Sequence, residues 1–239
     1  MPKAKPSAER VERYARYIIV LLSAYAIIDN YIIGDMITLA SAALTVLLLM
    51  LPSLIQTVSK LRIPVSVRVV YLIFIICAMY LGEIHSFFYR FLWWDEFLHT
   101  CSAMMLAYVG FVLVNLLNRD SSAEMKLRPA FVAVFVFCFT AAFGLVWELF
   151  EFSMDGILGV NMLKGRDPFV PNSLYSYEKA LVNTMIDLAL DAAGALLIAL
   201  LAFFHLKRPG GRLAFFGLLK RQFMAENPAM FGDISSSDH

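Results

Sequence analysis

Charge is scarce in this sequence of 239 residues: Asp, Glu, Lys and Arg make up 16% of it, where a soluble domain carries about 25%. A net charge of +1 leaves no basic footprint for a nucleic acid. Cysteine is scarce too. Cys77, Cys101 and Cys138 lie inside apolar runs, with no C-x-x-C spacing, which excludes a disulfide framework and a thiolate zinc finger and leaves them as packing residues. Internal repeats and low-complexity tracts are absent, so neither a solenoid nor a linker array is indicated.

What is present is apolar. Hydrophobic residues make up 60% of the chain, and a spanning helix needs about 20 of them in a row. Six runs qualify: Tyr17 to Ile33, Met36 to Ile55, Val65 to Leu81, Glu96 to Leu117, Pro129 to Glu151 and Ala180 to Leu206. The pattern predicts an all-α, polytopic transmembrane bundle of about six spans in the lipid bilayer. One membrane domain is expected over 17–206, after a basic cytoplasmic segment (1–16) and before a cytoplasmic tail (207–239). Ala24-Tyr25-Ala26 mimics a signal-peptide cleavage site, but the apolar run continues to Ile33, which reads as a retained first helix.

Lys and Arg in short loops stay cytoplasmic. With six spans, sixteen of the twenty fall on the side of both termini; the other side has only Arg90, Lys164, Arg166 and Lys179. The chain is therefore expected in the cell (inner) membrane with both termini cytoplasmic. Acidic residues divide the opposite way, seven on the cytoplasmic side and twelve on the outer side. Asp and Glu hardly influence orientation, so this second asymmetry needs its own cause.

Three acidic pairs suggest one. Asp95 and His99 are spaced i, i+4 at the start of the fourth span, Glu148 and Glu151 i, i+3 at the end of the fifth, and Asp187 and Asp191 i, i+4 in the sixth. Each spacing puts both side chains on one helix face, and the threading brings all three to the outer end. Asp187 and Asp191 lie roughly 10 to 16 Å along their helix. An acid near a helix centre costs about 2.5–3.5 kcal/mol and usually marks function. Clustered carboxylates with an imidazole are a ligand set for a divalent cation. Carboxylate excess favours Mg²⁺, Mn²⁺, Ca²⁺ or iron over structural zinc, although Zn²⁺ is not separated from the others. Weaker contributors are Glu83, His85 and Asp155, and Arg166 is a candidate to reach in from the segment between Phe152 and Lys179, a lid by its length and position. Asp95, His99, Glu148 and Arg166 are the candidate catalytic residues. Glu96, about 100° round the helix from Asp95, is expected to point elsewhere. Taken alone, Asp95 and Glu96 also suit a helix N-terminus, with Trp93 and Trp94 as an aromatic belt.

Through DEFLH (Asp95 to His99), WELFE (Trp147 to Glu151) and NTMIDLALDAAGA (Asn183 to Ala195), the chain over roughly 65–205 resembles the YjdF-like bacterial inner-membrane proteins of unknown function, and more distantly the VanZ-like proteins. Asn183 stands where that family carries an acid, and Asp191 is the candidate substitute. The resemblance implies no reaction. Three readings stay open: a metal-dependent hydrolase or transferase on a lipid or envelope substrate, a cation or proton transporter or sensor, and a non-catalytic envelope-assembly or resistance protein with a structural metal. The D-x-x-x-D spacing also occurs in CDP-alcohol phosphotransferases, but their preceding D-G-x-x-A-R segment is absent. Oligomeric state is not encoded in any of these patterns. A topology reporter fused at Ser173 is expected to behave as extracytoplasmic; a cytoplasmic signal there would overturn both the orientation and the outward-facing site.

Overall fold

The computed structural model describes residues 6–34, 36–117, 127–167, 169–170, 172–207 and 214–228. Parts of the expected terminal segments, 1–5 and 229–239, lie outside these residues, as do the basic residues Arg119, Lys126, Arg208 and Arg212. Among the described residues every regular element is helical: α1 (Pro6–Ile33), α2 (Met36–Ser59), α3 (Val65–Ile75) running into a π-helical stretch (Ile76–Ile84), the single turn α4 (Phe87–Arg90), α5 (Trp94–Leu117), α6 (Pro129–Leu158), α7 (Tyr177–Lys207) and α8 (Ala214–Glu226). Six are long and apolar enough to cross a membrane: α1, α2, α3 with its π stretch, α5, α6 and α7. The protein is an all-α polytopic bundle.

The elements differ from the sequence expectation mainly at their ends. The basic segment expected to precede the first span is helical from Pro6. The third span continues to Ile84 by widening into a π-helix. The fifth runs to Leu158 rather than Glu151, and the sixth starts at Tyr177 rather than Ala180. Residues 152–158, interrupted by Ser153, Asp155 and Gly156, and residues 177–179 keep helical hydrogen bonds beyond the expected span ends, because hydropathy marks the hydrocarbon slab and not the helix. The chain divides into two compact units, residues 1–91 with 217–239 and residues 92–216.

In the first unit, Ile19, Leu49, Leu72 and Ile75 form the core. Pro52 lies inside α2 and offers no N–H to the carbonyl four residues earlier. The Tyr71 hydroxyl of α3 donates to that Leu48 carbonyl at 2.9 Å, so the break in the helix becomes a cross-link. Glu12, expected in the solvated N-terminal segment, is buried between Arg16 (3.3 Å) and Arg68 (3.2 Å); Arg16 also donates to Ser53 Oγ. Beyond α8, Asn227 exchanges hydrogen bonds with the backbone of Arg62, and Gln222 accepts one from Ser66. The segment expected as a tail is therefore docked against the start of α3.

The second unit is the bundle of α5, α6 and α7, and its lining changes along its length. At the end where α5 starts, α6 ends and α7 starts, five buried acids and His99 stand among Leu98, Leu163 and Ala180. Midway come Gly144, Gly194, Ala103 and Ala195; toward the far end Ala107, Phe111, Val114, Val132, Val136, Ala199 and Ala202 form an apolar core. The outside is reversed, with Leu145, Val146, Leu149 and Phe152 exposed. Apolar residues outside and carboxylates inside suit a lipid surround.

Candidate metal centre

Each helix of the second unit presents one stripe to its neighbours. On α6 the buried residues are Val132, Val136, Thr140, Gly144, Glu148 and Glu151, successive steps of four and then three, which is one face of a 3.6-residue helix. On α7 they include Asp187, Asp191, Gly194, Ala195, Ala199 and Ala202. Asp95 and His99 begin the stripe of α5. The three predicted pairs thus converge at one end, all buried, with Glu148 and Asp191 each 4% exposed.

His99 lies at the centre. Its Nδ1 is 3.4 Å from Asp191 Oδ1, and its Nε2 is 3.9 Å from Glu148 Oε1. Two ligand groups form among the described residues, Asp95–His99–Asp187 and His99–Glu148–Glu151, each with its potential ligand atoms within 4.8 Å of one another. Asn183, one turn before Asp187 on α7, donates to Asp187 Oδ2. Trp147 Nε1 donates to Glu151 Oε1 at 3.0 Å, and Thr184 faces Glu148. Three carboxylate oxygens of the cluster nevertheless have no hydrogen bond of normal length and angle, both of Glu148 and Oε2 of Glu151, while Oδ2 of Asp95 and Oδ1 of Asp191 are met only by the 3.4 Å ion pairs with Lys164 and His99. Buried polar atoms are normally satisfied, and an exception calls for a ligand or ion.

The segment between α6 and α7 is shorter than expected and tightly tied. Gly159 ends α6 at φ +67°, a left-handed cap that suits glycine. The Asp155 carboxylate then accepts from the Met162 N–H (2.6 Å), the Leu163 N–H (3.2 Å) and the Tyr175 hydroxyl (3.1 Å). Burial and the Asp155 charge push the Tyr175 phenol up to about 12. Since the folded value is raised above its ordinary 10.0, this bond contributes fully below pH 10 and is lost as pH rises through 12. Gly165 lies under the Tyr175 ring, where a Cβ would come within 2.5 Å of it. So clamped, the loop delivers Lys164, at φ +53°, with Nζ 3.4 Å from Asp95 Oδ2.

The sequence-derived site is therefore assembled in part from other roles. Asp95, His99, Glu148, Glu151 and Asp187 supply the two ligand groups. Asp191 belongs to neither; it pairs with His99 and packs against Gly144, where a Cβ would sit 2.5 Å from Asp191 Oδ2. Asp155 holds the loop. Arg166 does not reach in: it donates to the Gly159 and Val160 carbonyls and lies over the Tyr175 ring. Glu83 and His85 belong to the first unit, His85 edge-on to Tyr80, and neither is in a ligand group. Glu96 is in neither group as well. Lys164 was missed by sequence reasoning, although as one of only four basic residues at the acidic end it stood out by charge.

A family model described as a predicted membrane protein (DUF2238) matches residues 13–208. No curated protein matches the chain, and no solved structure matches it.

Gly144 gives a direct check of the packing around Asp191. Gly144→Ala is expected to cost about 1–3 kcal/mol of unfolding free energy, the scale of an overpacked core, and to cost much less in an Asp191→Ala background, where the obstructing carboxylate is gone. Unfolding of the four variants in detergent reads this. Equal costs in both backgrounds would show that Asp191 does not press on Gly144.

Proposed function

The chain belongs to the DUF2238 family of predicted membrane proteins, and on that premise we propose that its second unit is a divalent-metal centre serving a hydrolase or transferase reaction on a lipid or envelope-linked substrate. The observation that carries the reading is Glu148: it is 4% exposed, neither of its oxygens has a hydrogen bond of normal length and angle although the Thr184 hydroxyl faces it, and it lies beside an imidazole nitrogen. A buried ionised carboxylate left in that state costs several kcal/mol. A cation offsets that cost, and the donor set fits one, with oxygens and a single imidazole. Such an ion supplies Lewis acidity toward a carbonyl or phosphoryl oxygen, or acidifies a bound water.

The residues of the chain supply the rest. His99, Glu148 and Glu151, with Asp95 and Asp187, hold the ion; Asp191 orients the His99 ring as a carboxylate partner does in metal sites. Lys164 places a positive charge at the rim, the position expected for Arg166, where it suits an anionic group on a substrate. The orientation with both termini cytoplasmic and the site on the extracytoplasmic side of the cell membrane rests on the sixteen-to-four division of Lys and Arg. The narrower likeness to YjdF-like proteins, and the distant one to VanZ-like proteins, belongs to this reading through DEFLH, WELFE and NTMIDLALDAAGA. A transporter needs a polar route onward, and the far end of this unit is packed with Phe111, Val114, Val132 and Val136, which favours a dead-end site over a channel.

Metal analysis of protein purified without chelator tests this. Wild type is expected to retain a divalent metal and to lose at least half of it in Glu148→Gln, with Glu96→Gln unaffected; a screen of lipid and lipid-linked substrates should give turnover that chelator abolishes. Equal metal in wild type and Glu148→Gln would refute the site, and metal binding without turnover would favour the structural-metal reading.

A further inference from the structure

The two ligand groups share only His99, and a neutral imidazole has one lone pair to give. The carboxylate of Asp191, 3.4 Å from Nδ1, favours the ring proton on that nitrogen. The lone pair is then on Nε2, the nitrogen that faces Glu148. One group is thereby complete as a nitrogen-and-oxygen set, His99 Nε2 with Glu148 and Glu151. The other keeps Asp95 and Asp187, which are oxygen ligands without a nitrogen.

Resting on the reading of this unit as a metal centre, we propose that it holds two cations of different character: one bound by His99 Nε2, Glu148 and Glu151, the other bound between Asp95 and Asp187. Charge supports the number. Ionised, the five buried carboxylates carry five negative charges, one of them met by Lys164; one divalent ion beside that ammonium leaves two of these in apolar surroundings, and a second ion in place of the ammonium leaves one. Uncompensated buried charge is the costlier state. Oxygens without a normal hydrogen bond occur on Glu148 and Glu151 in one group; in the other, Asp95 Oδ2 has the Lys164 ammonium at 3.4 Å in the place of a cation. The ligand chemistry separates the ions: the imidazole-containing set suits Mn²⁺, iron or Zn²⁺, and the carboxylate pair a hard ion such as Mg²⁺ or Ca²⁺. Lys164 already neutralises Asp95, so the hard ion must displace its ammonium and binds the more weakly.

Titration of the chelator-stripped, full-length protein in detergent with Mn²⁺, read by calorimetry and by metal analysis, tests the number. Two ions per chain in two steps are expected. Glu148→Gln/Glu151→Gln should remove the tighter step and Asp187→Asn the weaker. Lys164→Met should keep both and tighten the weaker by roughly tenfold, the scale of one displaced charge-assisted contact. In wild type, excess Mg²⁺ should displace one of the two Mn²⁺ ions, a readout that needs no variant to fold. One ion per chain at saturation, or Mg²⁺ displacing both or neither, overturns the two-cation proposal and leaves the metal centre standing. No Mn²⁺ bound at all overturns both.

Discussion

Carboxylates buried among apolar helices need positive charge, and the second unit is organised around meeting that need. Five of them, with one imidazole and one ammonium, converge where α5 starts, α6 ends and α7 starts. Bringing the three helices close enough for this requires small residues below the acids. Gly144 leaves room for the Asp191 carboxylate, and Gly194 lets α7 approach the Thr100 carbonyl of α5, where a Cβ would lie 3.0 Å away. The apolar core at the far end seals the cluster, and Leu145, Val146, Leu149 and Phe152 face outward. Sequestered charge is stabilised by what surrounds it, and here it determines what surrounds it.

Rigidity at the rim follows from the same constraint. A loop that merely covered the acids would leave Asp95 without a counter-charge. Three hydrogen bonds to Asp155, the Asn161 contacts to the Arg166 backbone and the Gly165–Tyr175 packing fix the loop instead, and Lys164 takes a left-handed backbone to reach Asp95. For a non-glycine residue that conformation costs of order 1–3 kcal/mol and persists only where neighbours over-determine it. Arg166, two residues on, is spent on the loop carbonyls.

Much of this was legible in the residues themselves. Period and spacing on single helices gave the spans and the three pairs, because side chains at i, i+3 and i+4 share a face wherever the helix goes. Roles set across elements were not legible in the same way. Asp155 continues the Glu148–Glu151 stripe by spacing, yet it lies in the last turn of α6, past the site, where loop N–H groups capture it. Asp191 matches Asp187 by spacing, but Gly144 and His99 decide which way its carboxylate turns. Lys164 and Arg166 differ only in loop geometry, which composition does not encode. Widening of α3 into a π-helix and docking of the α8 segment through Asn227 also depend on partners distant in sequence.

The central claim is that the His99 imidazole and the orphaned Glu148 and Glu151 oxygens bind a cation together. Pulsed electron paramagnetic resonance of the Mn²⁺-loaded protein tests it most directly, since a coordinated imidazole gives a nitrogen coupling to the electron spin that carboxylates and water cannot. A single nitrogen coupling in wild type, absent from His99→Gln that still elutes as folded protein, is the predicted result. Bound Mn²⁺ without any nitrogen coupling, or with a coupling that survives His99→Gln, would contradict the account.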